Sequence, residues 1–161
     1  MPLPAHMTVN GNTQGDIKGG CKMKGREGTI LVEAFNHEVR IPVDPQSGLG
    51  TGKRTHGAFS IVKVFDEASP LLYKALCTNE KLSKVEVKWY RIDPNGKEQH
   101  YFTHRLTNAN ITSIRPWMPN CLDPKTESYT HMEEVSFTYN EIEWVFEQGG
   151  VTATDSWDVP I

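Results

Sequence analysis

The chain has 161 residues, with 17 Lys and Arg against 20 Asp and Glu, so its net charge is -3. This length suits one domain, residues 1–161, and a hydrophobic content of 37% is enough for a packed core. There is no basic excess to neutralise a phosphate backbone, which argues against a nucleic-acid partner. No stretch approaches the roughly 18 apolar residues of a membrane span, which argues against a membrane partner. The first residues lack the basic and apolar regions of a signal peptide, so we expect synthesis and folding in the cytosol.

The first third of the chain predicts loops around one long strand. Residues 11–28 are rich in Gly and Lys and predict a long loop with a short strand at its end. Residues 29–41 predict a strand, because apolar residues from Phe35 onward alternate with polar ones until Pro42 ends the pattern. Residues 44–57 contain four glycines and no periodicity. A loop of about a dozen residues in a compact domain is usually functional or disordered.

The next segment predicts a buried strand followed by a helix. Residues 59–65 are apolar on both faces, which is typical of a strand buried on both sides. Ser69 is a favourable N-cap residue and precedes a proline at the first helical position, so we predict a helix over residues 70–78. Leu72 and Leu76 are four residues apart and therefore share one face of this helix.

The centre of the chain predicts an antiparallel hairpin. Residues 84–92 alternate between apolar and charged side chains, as a half-exposed strand does. Residues 93–96 read Asp-Pro-Asn-Gly and predict the hairpin turn, with residues 98–106 as the returning strand. A further short strand is predicted at 109–114, and a proline-containing loop at 117–128.

The last strand changes its phase. Its apolar residues occupy odd positions and then even ones, in the order Val135, Phe137, Tyr139, Ile142, Trp144 and Phe146. One extra residue near 140–141 restores the alternation, which predicts a β-bulge. The tail at 149–161 is polar and is predicted to be loose apart from Trp157. The fold class is therefore mainly β: a mostly antiparallel β-barrel or two-sheet sandwich with one short packed α-helix.

One glycine-rich segment resembles a phosphate-binding loop but fails in detail. Ser47 stands where the motif needs its first glycine, and Arg54 stands where it needs Ser or Thr after Lys53. A strand pattern follows, whereas phosphate binding requires a helix whose N-terminal amides point at the anion. We interpret the segment as a flexible projecting loop.

The residues that commonly bind metals are poorly arranged. His100 and His104 have HxxxH spacing, but on a strand four residues span roughly 13 Å, too far to share one ion. They are interpreted as surface or interface histidines. Cys21, Cys77 and Cys121 are odd in number and form no CxxC pair, so we expect buried or incidental thiols in a reducing compartment. We predict no metal and no cofactor.

No motif for covalent or acid–base catalysis stands out. The chain contains no GxSxG elbow, and its cysteines lack a nucleophile signature. Glu133 and Glu134, and Glu141 and Glu143, are carboxylate pairs of the kind that glycosidases use, but the second pair alternates with apolar residues as a solvated strand face does. The residues alone favour a binding or structural role over an enzyme.

The loop, strand and helix just described resemble the haemolysin-coregulated protein (Hcp) family of bacterial type VI secretion systems. The resemblance lies in residues 44–56, 59–65 and 68–76, and it continues through 84–91, 106–114, 134–139 and 142–144. It covers the chain from about residue 29 to residue 146, with the elements in the same order.

The resemblance implies a partly open antiparallel β-barrel with one short flanking α-helix, similar to phage tail-tube proteins, and no enzymatic activity. It implies homohexameric rings that stack as the inner tube of a contractile machine, with the VgrG spike, the sheath and effector proteins as partners. It also implies assembly in the cytoplasm and export without a signal peptide.

In this family the projecting loop touches the next ring of the stack. The residues assigned to ring stacking by this resemblance are Asp44, Gln46, Ser47, Gly48, Lys53, Arg54 and His56. Lys53 and Arg54 are expected to meet carboxylates across the joint. The alternatives are a monomeric small-ligand-binding barrel or enzyme, and a phage-derived tail-tube protein.

Overall fold

The computed structural model describes residues 1–157. Within that range the chain is mainly β, with one α-helix and one short 3-10 turn, Pro124–Thr126. The elements are β1 Ala5–Gly11, β2 Gly15–Ile17, β3 Ile30–Val32, β4 Ala34–Asn36, β5 Val39–Arg40, β6 Thr55–His56, β7 Phe59–Val64, α1 Ser69–Cys77, β8 Leu82–Ile92, β9 Glu98–Trp117, β10 Met132–Thr138, β11 Glu141–Phe146 and β12 Val151–Ser156.

Antiparallel pairing joins most strands into one curved sheet. The strands follow the order β2-β1-β8-β9-β10-β7-β4, with β11 added to β9 and β12 added to β11. β3 pairs with β1 and the adjoining β4 pairs with β7, so one short segment connects the two ends of this path. Between them, the Glu33 amide donates to the carbonyl of Val62 at 2.9 Å. The predicted fold class is confirmed.

The inward faces of these strands build one hydrophobic core. α1 packs against β9 and buries Leu72 and Ala75, so the helix flanks the barrel as predicted. The fully buried apolar side chains include Met7, Ile30, Phe59, Ile61, Leu82, Val85, Val87, Leu106, Val135, Phe137 and Ile142. These side chains fill the space between the strands.

The N-terminal third differs from its prediction. β1 was not expected, and the short strand predicted at the end of the loop at 11–28 lies instead near its start, as β2. The predicted long strand at 29–41 is three short strands, because the chain changes partner from β1 to β7 at Glu33 and then leaves the sheet. β7 is buried on one face only: Ile61 is buried, whereas Val62 is half-buried.

The helix and the central hairpin lie close to their predicted positions. α1 begins one residue earlier than predicted, and its N-cap is Ala68. The hydroxyl of Ser69, the predicted cap, instead donates to Glu133 at 2.7 Å. The turn at 93–96 is confirmed, with Gly96 at φ 81°. The two predicted strands after it are one long strand, β9, which continues through Asn108 at φ 51°.

The phase change in the last strand marks an interruption of a single ladder. β10 and β11 both pair with β9, and the ladder breaks at Tyr139 and Asn140, close to the predicted bulge. A register shift also lies between Ser136 and Phe137. The prediction of a loose tail is wrong for β12, which pairs along β11; residues 158–161 lie outside the described part of the chain.

Candidate interaction site: the hairpin arm and its base

The predicted unpatterned loop is an ordered hairpin, residues 38–57, which we call the hairpin arm. At its root β5 pairs with β6, and the Gly57 amide donates to the carbonyl of Glu38 at 2.7 Å. Further out, Val43 forms a bridge with Gly50, and the Thr51 amide donates to the carbonyl of Pro42 at 2.7 Å. The arm is therefore a ribbon with a defined turn at its end.

The turn of the hairpin arm is organised by its own side chains. The Asp44 carboxylate accepts the Gln46 amide at 3.0 Å and the Ser47 hydroxyl at 2.8 Å. These hydrogen bonds, first that from Gln46, lower the pKa of Asp44. Gly48 adopts φ 72°, a conformation that favours glycine. Asp44, Ser47 and Gly48 thus shape the turn, and Gln46 contributes its backbone amide to it while its side chain is exposed.

The root of the arm is bonded to the rest of the chain. Arg54 donates from Nε and Nη2 to the two oxygens of Asp155, at 2.8 and 2.9 Å. Nε2 of His56 lies 2.7 Å from Asp155, and its Nδ1 lies 2.6 Å from the Tyr139 hydroxyl. The hydrogen bond from Arg54 is the main reason that the pKa of Asp155 falls to about 2. The same hydroxyl lies 2.9 Å from Nε2 of His37, and burial raises the pKa of Tyr139.

The other three predicted stacking residues lie along the second stem of the arm, and their surroundings differ. Lys53 is exposed, as expected for a residue that meets another copy. Arg54 was expected to meet a carboxylate across a ring joint, but in this structure it pairs with Asp155 of its own chain. His56 is buried. Sequence reasoning missed Asp155 and Tyr139, because nothing local marks them as partners of residues about a hundred positions away.

The hairpin arm carries exposed apolar side chains. Leu49, at the turn, is 68% exposed, and Ile41 and Val43 are also exposed. Exposed apolar side chains grouped on one hairpin make the arm a candidate contact surface.

A second exposed apolar surface, which we call the end patch, consists of Phe65, Met118, Leu122 and Tyr129. Leu122 is 86% exposed. Phe65 directly follows β7, whereas the hairpin arm enters β7 at Phe59. Because Met132 pairs with Val64, the segment before β10 also lies at that far end. The six residues of β7 thus separate arm and end patch by about 20 Å, at opposite ends of the barrel.

The two histidines of the HxxxH spacing have different surroundings. His104 is half-buried rather than exposed: its ring packs against Phe35 and Phe59, and burial is the main reason that its pKa falls to about 4. His100 is half-buried, and its Nε2 lies 2.7 Å from the Thr103 hydroxyl. Among residues 1–157, no three His, Cys, Asp or Glu side chains are grouped to hold a metal ion.

The cysteines and the paired glutamates that the sequence offered as reactive groups are not arranged as a catalytic site within residues 1–157. Cys77 and Cys121 are exposed and Cys21 is half-buried, so none of the thiols is fully buried. Glu133 is buried against Lys63, while Glu143 binds Arg105.

A cavity of about 480 Å³ opens to the surface between the N-terminal residues, the β3–β4 segment and Trp89. No helix in the described part of the chain is long and apolar enough to cross a membrane.

Comparison with known proteins identifies the family. The model of the family described as "Type VI secretion system effector, Hcp" matches residues 6–146. The "Major exported protein" of Pseudomonas aeruginosa is 44% identical, with 100% of this chain and 99% of that protein covered.

Solved structures agree. Hcp1 from the E. coli EAEC 042 pathovar is 34% identical with a TM-score of 0.85, covering 96% of this chain and 99% of that one. The secreted protein Hcp3 from Pseudomonas aeruginosa is 37% identical with a TM-score of 0.81, covering 97% and 99%. The chain belongs to the Hcp family of the type VI secretion system, as its sequence resemblance implied.

Proposed function

We propose that this chain is a single tube domain that forms homohexameric rings, and that the rings stack as the inner tube of a type VI secretion machine. The observation that carries this proposal is the placement of the hairpin arm and the end patch at opposite ends of β7. A molecule with two different contact surfaces at its two ends stacks head to tail and forms an open filament.

The chemistry of the two surfaces suits such a joint. Ile41, Val43 and Leu49 of the arm offer apolar side chains, and the end patch offers Phe65 and Leu122 among others. Each exposed side chain that becomes buried contributes on the order of 1.5–3 kcal/mol. A ring repeats this contact once per subunit, so a modest contact in one chain becomes strong in the stack.

Lateral closure of the ring needs a surface other than the arm. β12 pairs only with β11 among the strands of residues 1–157, so its other edge carries unpaired backbone groups. Sheet edges of this kind are normally covered, and a neighbouring subunit supplies a cover. We place the lateral contact at this edge.

The role proposed for this chain is mechanical. Its partners are further copies of itself, the VgrG spike, the sheath and effector proteins, as membership of the family implies. Rings assemble in the cytoplasm and leave the cell with the machine; the name of the relative "Major exported protein" supports export. The packed interior supports a structural component rather than an enzyme or a ligand-binding barrel.

Native mass spectrometry tests ring formation directly. We expect a species of six times the 18.2-kDa chain mass. A protein that remains monomeric at micromolar concentration would contradict the proposal and favour a ligand-binding barrel.

Arm variants test stacking. Removal of residues 46–52 with a short polar linker, or Leu49→Ser, should leave the ring intact in size exclusion but abolish tubes and export. Met118→Ser in the end patch should do the same from the other side of the joint. Ile92→Ser is the matched control, because Ile92 is exposed and belongs to neither surface. If the arm variants build tubes and are exported like the control, the arm is only a connector.

A further inference from the structure

A continuous chain of hydrogen-bonded side chains lies at the root of the hairpin arm. It runs from His37 through Tyr139 and His56 to Asp155, which also binds Arg54, and we call it the relay. The relay connects both stems of the arm, because His37 precedes β5 and His56 ends β6. Its other members lie at the β10–β11 junction and on β12.

The geometry allows a single arrangement of protons when both histidines are neutral. Asp155 is an ionised acceptor, so Nε2 of His56 carries a hydrogen and donates to it. Nδ1 of His56 must then accept the hydroxyl hydrogen of Tyr139. Because Tyr139 has only that hydrogen, its oxygen accepts from Nε2 of His37. Every group of the relay is thereby satisfied.

With one ion pair in the cluster, the charges around the relay balance when both His37 and His56 are neutral. Within residues 1–157 the cluster contains one ion pair, Arg54 with Asp155, together with two further histidines, His56 and His104. Glu38 and Arg40 lie on the arm itself beside His56 and are exposed. A second proton on His37, at Nδ1, would place a new cation on a half-buried ring that packs against Phe35 and Phe59. The carboxylates of Asp155 and Glu38 are already paired, with Arg54 and Arg40.

We propose that the relay is an acid-sensitive latch: proton uptake by His37 opens it and frees the stems of the hairpin arm, while the barrel stays folded. Burial, and next the nearby His56, lower the pKa of His37 in the closed state. An open arm lets that imidazole reach water and recover its ordinary pKa of about 6.5. Acid therefore favours the open state, by up to about tenfold per pH unit below 6.5.

The hydrogen-bonded ladder of the arm is separate from that of the barrel. The arm forms its own two-stranded sheet, β5 with β6, apart from the sheet of the barrel. The ring of Trp157 stacks on that of His56, with centroids 5.4 Å apart, and lies edge-on to the ring of Tyr139, with centroids 5.3 Å apart. It therefore covers the relay from one side. The latch rests on the proposed function in one respect: the proposed function assigns the arm a role in ring stacking, which the latch would control.

Hydrogen–deuterium exchange with mass spectrometry tests the latch on unstacked protein. Exchange of amides 39–57, corrected for the intrinsic effect of pH, should rise up to about tenfold between pH 7.5 and 5.5, while β8 and β9 stay protected. Equal protection of the arm at both pH values would overturn the proposal.

Two variants should move in opposite directions. Tyr139→Phe removes the shared hydroxyl, so the arm should exchange rapidly at both pH values. His37→Gln keeps an N–H near the Nε2 position but cannot be protonated, so the arm should stay protected at pH 5.5 as well as 7.5. Tyr129→Phe is the control, because Tyr129 is exposed and lies in the end patch.

The outcomes separate the latch from the proposed function. If His37→Gln releases its arm in acid like the wild type, or Tyr139→Phe stays protected, the latch is wrong whether or not tubes form. If the exchange results hold but arm variants still stack, the proposed role of the arm in stacking is wrong and the latch stands.

Discussion

The indole N–H of Trp89 donates to Nδ1 of His104 across a distance of 2.8 Å. The ring of Phe35 packs edge-on against Trp89, with centroids 5.0 Å apart, and tilted against His104, with centroids 5.2 Å apart. Nδ1 of His104 is therefore an acceptor, and the ring is neutral with its hydrogen on Nε2. Protonation would break this bond and bury a charge.

This geometry predicts a loss of stability in acid. The pKa of His104 is about 4 in the folded chain against 6.5 for an ordinary histidine, so the unfolded chain binds the proton more tightly. Its contribution is complete above pH 6.5 and is lost as the pH falls towards 4. Between pH 7 and 5 the free energy of unfolding should fall by about 2 kcal/mol from this group.

Urea melts at the two pH values measure this effect. His104→Asn keeps an acceptor for the indole but does not titrate, so its stability should fall by about 2 kcal/mol less than that of the wild type. His131→Asn is the control, because His131 is exposed. An unchanged pH dependence in His104→Asn would contradict the assignment.

Lys63 and Glu133 form a fully buried ion pair beneath the start of α1. Asp66 lies 2.9 Å from the same ammonium group, and the Oε2 atom of Glu133 has no hydrogen-bond partner. Glu133→Gln should destabilise the chain by roughly 1–3 kcal/mol, because it removes one of the two carboxylates that neutralise the buried ammonium and leaves Asp66 as the other. Lys63→Met combined with Glu133→Leu should recover most of that loss, because it removes both buried charges.

The next residue along β10, Glu134, provides an exposed ion pair for comparison. Glu134 pairs with Arg115, which is largely exposed, so Glu134→Gln should cost about 0–1 kcal/mol. Equal losses for the two Glu→Gln variants in chemical denaturation would show that burial of the Lys63 pair does not matter.

The two leucines of α1 should differ in their contribution to stability. Leu72 is fully buried, so Leu72→Ala should cost roughly 2–5 kcal/mol. Leu76 was expected to match it, but it is only half-buried, and Leu76→Ala should cost less. Leu71→Ala is the control because Leu71 is exposed. Denaturant melts that rank Leu76 above Leu72 would reverse our assignment of the buried face.

Local chemistry in the sequence predicted those elements that depend on near neighbours. A proline in the first turn marked α1, and the Asp-Pro-Asn-Gly turn joined β8 to β9. The alternation in residues 84–92 identified a half-exposed strand. The phase change near Tyr139 marked a real interruption, because the alternation of a strand records which face is buried.

The base of the candidate site was not predictable in this way. Arg54 resembled a free cation for a partner, yet its carboxylate, Asp155, lies 101 positions away on a strand read as a loose tail. β12 is polar and short, so only its pairing with β11 makes it a strand and turns Asp155 inward.

The sequence by itself determined the mainly β class, the helix and the presence of a long segment without periodicity at residues 44–57, because each of these follows from patterns along the chain, and its resemblance determined the family. Only the tertiary structure decided the relay and the separation of the arm from the end patch. His37 lies 102 positions from Tyr139, and His56 lies 99 positions from Asp155, yet sheet pairing brings the members of each pair within hydrogen-bonding distance. Such pairing is set by long-range register, which no short stretch of sequence encodes.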